Sequence, residues 1–139
     1  MKRTSIRVEF NIYGDYIDID NVTEMMKINP TVAYLKGDPI DHRPIVRKNA
    51  LWAIETNYEE AIDINDVFPK IFGMIADKSD VINRVKELYE AGVSFSFVAN
   101  IHNGESPAMY LDKDFIKFAA EIGAWIEFPM YVFGDFDME

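Results

Sequence analysis

Apolar and polar residues alternate along several stretches of the chain, which is the pattern of strands with one buried face. The clearest stretch is residues 6–12, where apolar side chains alternate with Arg, Glu and Asn. Related patterns predict further strands at 31–36, 49–56, 93–101 and 124–133. Pro129 interrupts the last of these. Because proline has no backbone N–H to donate, it indicates an edge strand or a bulge at that point.

Between these strands, apolar residues recur every three or four positions, which predicts amphipathic helices. Asp20, Asp66 and Asp112 each precede such a run and are expected to cap the helix that follows. A break in the pattern at "DKSD" predicts two successive helices in the middle of the chain. Gly92 and Gly123 are expected to end the second and the last helix, since glycine readily adopts the left-handed conformation found there.

The whole pattern predicts one α+β domain over residues 1–139. Asn103-Gly104 is a hairpin signal, so the following "AMYL" is expected to return as a short strand. The element order is then β-α-β-β-α-α-β-β-α-β, with helices on one face of an antiparallel or mixed sheet in two layers. The predicted core takes one residue from each main element: Phe10, Trp52, Phe72, Val85, Phe97, Phe118 and Ile126.

A strand-helix-strand pattern occurs twice, at residues 5–38 and 94–135. Both stretches contain an Asp-x-Asp pair before the helix and end on Gly-Asp. Few other positions are identical, so an internal duplication is a hypothesis beside the simpler interpretation of two similar local folds.

Composition excludes several classes of function. The chain has 139 residues and no cysteine, which excludes disulfides, a thiol nucleophile and zinc-thiolate sites. It has no apolar run of signal-peptide length near its start, and none of the roughly 20 residues that a membrane span needs. A cytoplasmic protein is therefore expected.

The charge is strongly negative and unevenly distributed. The formal net charge is −10, with +1 on residues 1–52 and −11 on residues 53–139. Free nucleic acid and anionic membranes are poor partners for such a surface, because binding to phosphate needs basic side chains. A basic protein is the partner that this field would attract. The alternative is that the charge serves solubility.

Sequence motifs for catalysis or cofactor binding are absent. The chain has no phosphate-binding loop, dinucleotide fingerprint or nucleophile elbow. His42 and His102 have no metal-ligand partner at helical spacing and are expected to be solvated loop residues. Asp15, Asp18 and Asp20 depart from the calcium-loop pattern and fit turn and capping roles better. No metal and no cofactor are expected.

Two charged clusters remain as candidate sites. The basic loop, residues 36–48, together with the nearby tryptophan, is a candidate anion-binding site formed by His42, Arg43, Arg47, Lys48 and Trp52. The acidic segment, residues 55–66, is a candidate docking site for a basic protein formed by Glu55, Tyr58, Glu59, Glu60, Asp63 and Asp66. The alternatives are a stiff connector for the first cluster and a solvated loop for the second.

Several stretches together resemble a small uncharacterised bacterial family of acidic α+β proteins. They are "INPT" with "YLKGD", then "RKNALWAIET", and finally "LDKDFIKFAAEIGAWIEFPMYV". The resemblance covers nearly the whole chain, implies the fold, and carries over no catalytic residue. In general class, small acidic bacterial proteins of this kind also resemble the immunity proteins that neutralise secreted toxins.

Three functional hypotheses follow. The leading one is a non-enzymatic, acidic protein-binding module, such as an immunity protein that blocks a basic toxin. The second is a small-ligand-binding protein or enzyme that uses the basic loop. The third is a structural homodimer joined through an exposed sheet edge.

Overall fold

The computed structural model describes residues 2–134; the ends of the predicted 1–139 domain, including Asp135 of the second repeat, lie outside the described residues. Within that range the chain forms an α+β domain with four α-helices and an open, mixed sheet of seven strands, which confirms the predicted fold class. The strands are β1 (Ser5–Gly14), β2 (Val32–Tyr34), β3 (Ala50–Glu55), β4 (Glu59–Glu60), β5 (Gly92–Ile101), β6 (Trp125–Glu127) and β7 (Met130–Val132). The helices are α1 (Ile19–Met26), α2 (Pro69–Ile75), α3 (Ser79–Tyr89) and α4 (Lys113–Glu121).

The long strands β1 and β5 form the centre of the sheet and pair antiparallel. On the β1 side, β3 and then β2 extend the sheet, again antiparallel, while the short β4 pairs with the start of β1. On the other side, β6 and β7 both run parallel to β5. A parallel neighbour needs a crossover connection, and α4 provides it.

The predicted helix caps are partly wrong. Asp112 caps α4 as expected, because its carboxylate accepts the N–H of Phe115 at 2.9 Å. At α1 the prediction misses by two residues: Asp18, not Asp20, accepts the N–H of Asn21 at 3.1 Å. Both aspartates precede an apolar run, so spacing alone did not separate a cap from a first-turn residue.

The second pair of boundary predictions is also wrong. Asp66 ends a short 3-10 helix (Ile64–Asp66), and α2 begins at Pro69 with no side-chain cap. Gly92 starts β5 and is not the end of α3; Glu90 takes the left-handed conformation there, with φ of 51°. Gly123 does follow α4 with φ of 62°, as the sequence predicts.

Phenylalanine rings dominate the core between the helices and the sheet. Phe68, just before α2, and Phe115 of α4 pack against each other and against Phe95 and Phe97 of β5, with ring centroids 4.6–6.2 Å apart. These separations and tilted arrangements suit the quadrupoles of aromatic rings. Of the predicted core, Phe10, Trp52, Val85, Phe97 and Phe118 are buried, whereas Phe72 and Ile126 are half-buried and pack against the cluster.

Two predicted strands differ from the structure. The "AMYL" segment does not pair with β5; its Ala108 instead exchanges backbone hydrogen bonds with Ile62 and Ile64 of the acidic segment. The turn at Asn103 and Gly104 does form, with positive φ at both residues. The last strand divides into β6 and β7 around Pro129 without any change of register, and it lies at the sheet edge, as the proline indicates.

The two strand-helix-strand repeats have related but unequal topologies. Through α1, β1 connects to β2, which runs parallel to it but is separated from it by β3. Through α4, β5 connects to β6, which is its direct parallel neighbour. The difference arises because β3 occupies the position beside β1, and the duplication stays a hypothesis.

Candidate functional site

The helices cover one face of the sheet, and we call the other the open face. Side chains alternate along a strand, so the residues of β1 between its buried Ile6, Val8, Phe10 and Ile12 point to the open face. Cross-strand pairing identifies the other main residues that share this face: Leu51, Ala53 and Glu55 of β3, Ser94, Ser96 and Val98 of β5, and Trp125 and Glu127 of β6.

Three carboxylates form a line across the middle of the open face. Glu55 is directly opposite Glu9, Glu9 is opposite Ser96, and Ser96 is opposite Glu127. We call these four residues the acidic row. Neighbouring strands lie about 4.8 Å apart, so the row spans four strands within a short distance. Like charges directly opposite each other are destabilising, and Glu9 with Glu55 is such a pair.

Small polar side chains form the floor beside the acidic row. Ser94 and Ser96 are buried although they lie on the open face. The amide of Asn11 donates to their hydroxyl oxygens at 3.2 Å and 3.5 Å. Tyr13 lies across Gly92, where an added Cβ would come within 2.6 Å of the phenol ring. The small residues of β5 therefore form a floor, and the longer side chains of Asn11 and Tyr13 lie beside it.

Arg7 provides the positive charge next to the acidic row. Its guanidinium pairs with the carboxylate of Glu9 at 2.7 Å and lies 4.7 Å from the ring centroid of Tyr58. Its Nε is buried with no hydrogen-bond partner among residues 2–134. One guanidinium thus faces two carboxylates, those of Glu9 and Glu55, and balances them incompletely.

The electrostatics of the open face follow from this arrangement. Burial raises the pKa of the Glu55 carboxyl; Arg7 opposes this and Glu9 adds to it. Burial also raises the pKa of the Tyr13 hydroxyl, and the negative charge of Glu127 adds to that effect. Burial is the larger cause of both shifts; only the smaller contributions, from Glu9 on Glu55 and from Glu127 on Tyr13, reflect the negative charge that a cation would offset.

The acidic segment does not form one continuous patch. Glu55, Tyr58 and Glu60 face the open side, the last through its pairing with Ser5 of β1. Glu59 lies on the helix side, where both carboxylate oxygens accept from the Lys70 ammonium at 2.6 Å and 2.7 Å.

The end of the acidic segment is largely structural. The carboxylate of Asp63 accepts the N–H of Asn65 at 2.9 Å and caps the 3-10 helix. Asp66 is exposed and lines, with Glu60 and Arg3, a cavity of about 230 Å³. Arg3 is held by two bonds of 2.9 Å to Glu105.

The basic loop is a hairpin that extends beyond β2 and β3. Backbone bonds between Asp38 and Arg47 and between Ile40 and Ile45 hold its two arms together. The Arg47 guanidinium lies 4.0 Å from the ring centroid of Tyr34. A cavity of about 410 Å³ opens beside it, lined by Tyr34, Ile40, Ile45, Val46, Arg47, Lys48 and Asn49. Arg43 and His42 are exposed at the hairpin tip.

Two interpretations from the sequence need correction here. Trp52 belongs to the core and not to the basic loop: it is fully buried, and its indole N–H donates to the Thr23 hydroxyl at 3.0 Å.

His102 is not a solvated loop residue. It is buried, its ring stacks on Phe133 at 4.4 Å, and its backbone N–H donates to Thr4. His42 is exposed, as expected.

Within residues 2–134, no group of three or more His, Asp or Glu side chains has an arrangement that would hold a metal ion. None of the helices in that range combines the length and the apolar character needed to cross a bilayer.

The sequence contains the acidic row, but its pattern does not reveal it. Glu9 and Ser96 appear there only as the polar half of an alternating strand. Their importance depends on cross-strand pairing between distant residues. The signal available in the sequence was the type of polar residue in each strand. The central strand β5 carries small serines, whereas its neighbours carry glutamates, and this combination indicates a shallow polar surface flanked by carboxylates.

Comparison with known proteins identifies the family. A family model described as "Domain of unknown function (DUF4279)" matches residues 4–133, which is nearly the whole chain. No curated protein and no solved structure gives a significant match. The chain therefore belongs to the DUF4279 family.

Proposed function

We propose that this member of the DUF4279 family is a non-enzymatic binding protein whose open face recognises a basic protein. The observation that carries the proposal is the acidic row, in which Glu9 and Glu55 lie directly opposite each other beside one guanidinium. A cationic side chain placed over the row would relieve this repulsion, and the gain would appear only in the complex.

The surroundings of the acidic row favour an arginine or lysine of a partner over a free metal ion. Ser94 and Ser96 give a polar floor, and Trp125, 70% exposed, stands beside the row opposite Ser94. An exposed tryptophan offers a cation–π surface to a guanidinium or ammonium group. Tryptophan is one of the residue types enriched at protein-binding hot spots.

The partner class follows from charge. The net charge of −10 attracts a basic protein over long range, and the acidic row then fixes where it binds. A basic effector such as a secreted toxin, neutralised in the cytoplasm of the cell that makes it, fits this chemistry. The protein would act by covering the effector's basic surface, with no bond made or broken.

The test compares two charge-matched variants for binding to a short arginine-rich peptide by calorimetry. We expect the double change Glu9→Gln and Glu127→Gln to weaken binding about tenfold or more. The control, Glu87→Gln with Glu121→Gln, removes the same charge from the exposed helix side. It should change the affinity less than about twofold, because these charges act on the peptide only over a long distance, where salt screens them. Equal losses in both variants would mean non-specific attraction and contradict the proposal.

A second candidate function rests on the basic loop. Its cavity of about 410 Å³ joins apolar walls to Arg47 and Lys48, which suits a small amphipathic anion. Decanoate is a suitable probe. The double change Arg47→Ala and Lys48→Ala should abolish its binding if this cavity is the site, whereas the Glu9→Gln and Glu127→Gln protein should bind it unchanged.

A further inference from the structure

The sheet ends in an edge strand, formed by β6 and β7, with unusual side chains for an exposed position. Within residues 124–134 the one charged residue is Glu127. Six large apolar residues there are exposed: Trp125 70%, Phe128 37%, Met130 51%, Tyr131 55%, Val132 74% and Phe133 44%. Natural sheet edges are usually protected by lysines, prolines or bulges, because an open edge pairs readily with another chain.

Pro129 does not protect this edge. The N–H of Ala99 donates to the carbonyl of Pro129, and the N–H of Phe133 donates to Ile101, both at 2.9 Å. Residues 129 and 133 therefore direct their backbone polar groups towards β5. By alternation, residues 126, 128, 130 and 132 direct theirs outward. The missing N–H of the proline falls on the inner side, so the outer edge keeps its donors and acceptors.

We infer that this edge pairs antiparallel with the same edge of a second copy, forming a two-fold symmetric dimer with a continuous sheet. Antiparallel pairing of identical strands is isologous, so one set of groups serves both copies. An axis at Pro129 places outward-directed residues opposite each other, namely Phe128 against Met130 and Ile126 against Val132. It also places Trp125 opposite Phe133, and Glu127 opposite Tyr131, so no like charges meet.

The exposed aromatic area of the edge sets the most that these rings could bury in a dimer. Each aromatic side chain offers about 150–250 Å². With their exposed fractions, Trp125, Phe128, Tyr131 and Phe133 leave roughly 300–500 Å² per copy. Two copies thus contribute roughly 600–1,000 Å² before Met130, Val132 and the backbone are counted, which approaches the ~1,200 Å² at which stable interfaces begin.

The dependence on salt concentration distinguishes dimerisation from binding of a basic partner. Two copies each carry −10, so they repel at long range, and salt screens that repulsion. Dimerisation should therefore strengthen with salt, whereas binding of a basic partner to the acidic row should weaken.

Sedimentation equilibrium of the full chain, at about 1–100 μM, tests the inference first. We expect a mass of about 32 kDa, twice the 16.0 kDa of one chain. Val132→Lys puts a charge on the edge and should raise the dissociation constant about tenfold or more. The control Ile116→Lys makes a matched change on exposed α4 and should leave the dimer intact. A monomer at all concentrations, or equal effects of the two lysines, overturns the inference.

The cysteine-free chain permits a direct test of the register. With the axis at residue 129, Pro129→Cys places two thiols at a non-hydrogen-bonded pair with Cα atoms about 4.5 Å apart. That distance lies within the range of disulfides. Mild oxidation should then cross-link this variant within minutes, and Lys117→Cys on exposed α4 far more slowly. Equal cross-linking rates in the two variants would contradict this dimer.

Discussion

The two faces of the sheet use the same strands for opposite purposes. On β5, Phe95 and Phe97 point into the helix layer, where they join a close-packed aromatic cluster. The serines at positions 94 and 96, interleaved with them, form the floor of the open face. One strand thus supplies stability on one side and a polar surface on the other, and a shift of one residue would exchange them.

The open face departs from the arrangement that would favour stability most. The face of the sheet under the helices, which we call the covered face, is closely packed, and its aromatic rings meet in favourable tilted geometry. The open face places Glu9 opposite Glu55, an arrangement that costs folding free energy. Surfaces that bind a partner commonly carry such a cost, because the interaction that relieves it comes from outside the chain.

The largest expected effect is loss of the covered face's packing. Phe115 is fully buried and contacts four other phenylalanine rings. Phe115→Ala should lower the free energy of unfolding by about 3–5 kcal/mol, since the ring leaves a cavity that cannot close. Its neighbour Ile116 is 50% exposed, and Ile116→Ala should cost less than about 1 kcal/mol. Urea denaturation measures both; similar losses would contradict the assignment of the faces.

A medium effect is expected from glycine on the open face. Gly92→Ala places a Cβ within 2.6 Å of the outer ring atoms of Tyr13, so this half-buried ring must move, and the change should cost about 1 kcal/mol. Gly73→Ala is the matched control, because it lies in α2 with nothing within 4 Å of the added carbon. That change should raise stability by about 0.5–1 kcal/mol. If Gly92→Ala were neutral by thermal unfolding, the Tyr13 ring would not be held in place across this glycine.

The covered face could be predicted well from the sequence because its apolar residues recur with the regular spacing of a strand or a helix. Residues 6–12 and 93–101 show alternation, and the apolar stripe of α2 follows helical spacing. Each of these signals lies within a few residues, so no knowledge of the tertiary fold was needed to interpret it.

The open face depends on pairing between distant residues, which local patterns do not encode. Glu55 seemed part of an acidic loop, yet β3 places it opposite Glu9. Trp52 fitted both the predicted core and the basic loop, and its indole hydrogen bond to Thr23 of α1 holds it in the core. His102 seemed solvated until β5 and the chain end placed Phe133 over its ring. In each case the deciding contact is long-range.

A smaller effect on stability is expected from two glutamates, one opposite a like charge and one paired with a lysine. Glu9→Gln removes both the repulsion with Glu55 and the ion pair with Arg7 at 2.7 Å. Because Arg7 can then pair with the Glu55 carboxylate, the lost repulsion should outweigh the lost pair, and stability should rise by about 0.2–1 kcal/mol. Glu59→Gln instead removes the partner of Lys70 and should lower stability by about 0.2–1 kcal/mol. Urea denaturation at pH 7 gives both values. A loss in the first variant would mean that the Arg7 pair outweighs the repulsion.

The smallest expected effect is a pH dependence of opposite sign at two glutamates. Burial raises the pKa of Glu55, whereas the Arg3 hydrogen bond lowers the pKa of Glu105. A raised pKa in the folded state means that Glu55 favours folding below the ordinary value of 4.5 and loses this contribution as the pH rises through the folded pKa. Glu105 contributes above the ordinary value of 4.5 and loses its contribution as the pH falls.

Unfolding curves from pH 3 to pH 7 distinguish the two glutamates. The stability of Glu55→Gln relative to the unmodified chain should increase with pH, by less than about 1 kcal/mol because solvent screens this partly exposed site. The relative stability of Glu105→Gln should decrease over the same range. Arg7 and Glu9 both face Glu55, so the Glu9→Gln background should diminish the first trend and leave the second unchanged. If both trends had the same sign, or if Glu9→Gln altered neither, the acidic row would not be an electrostatic unit.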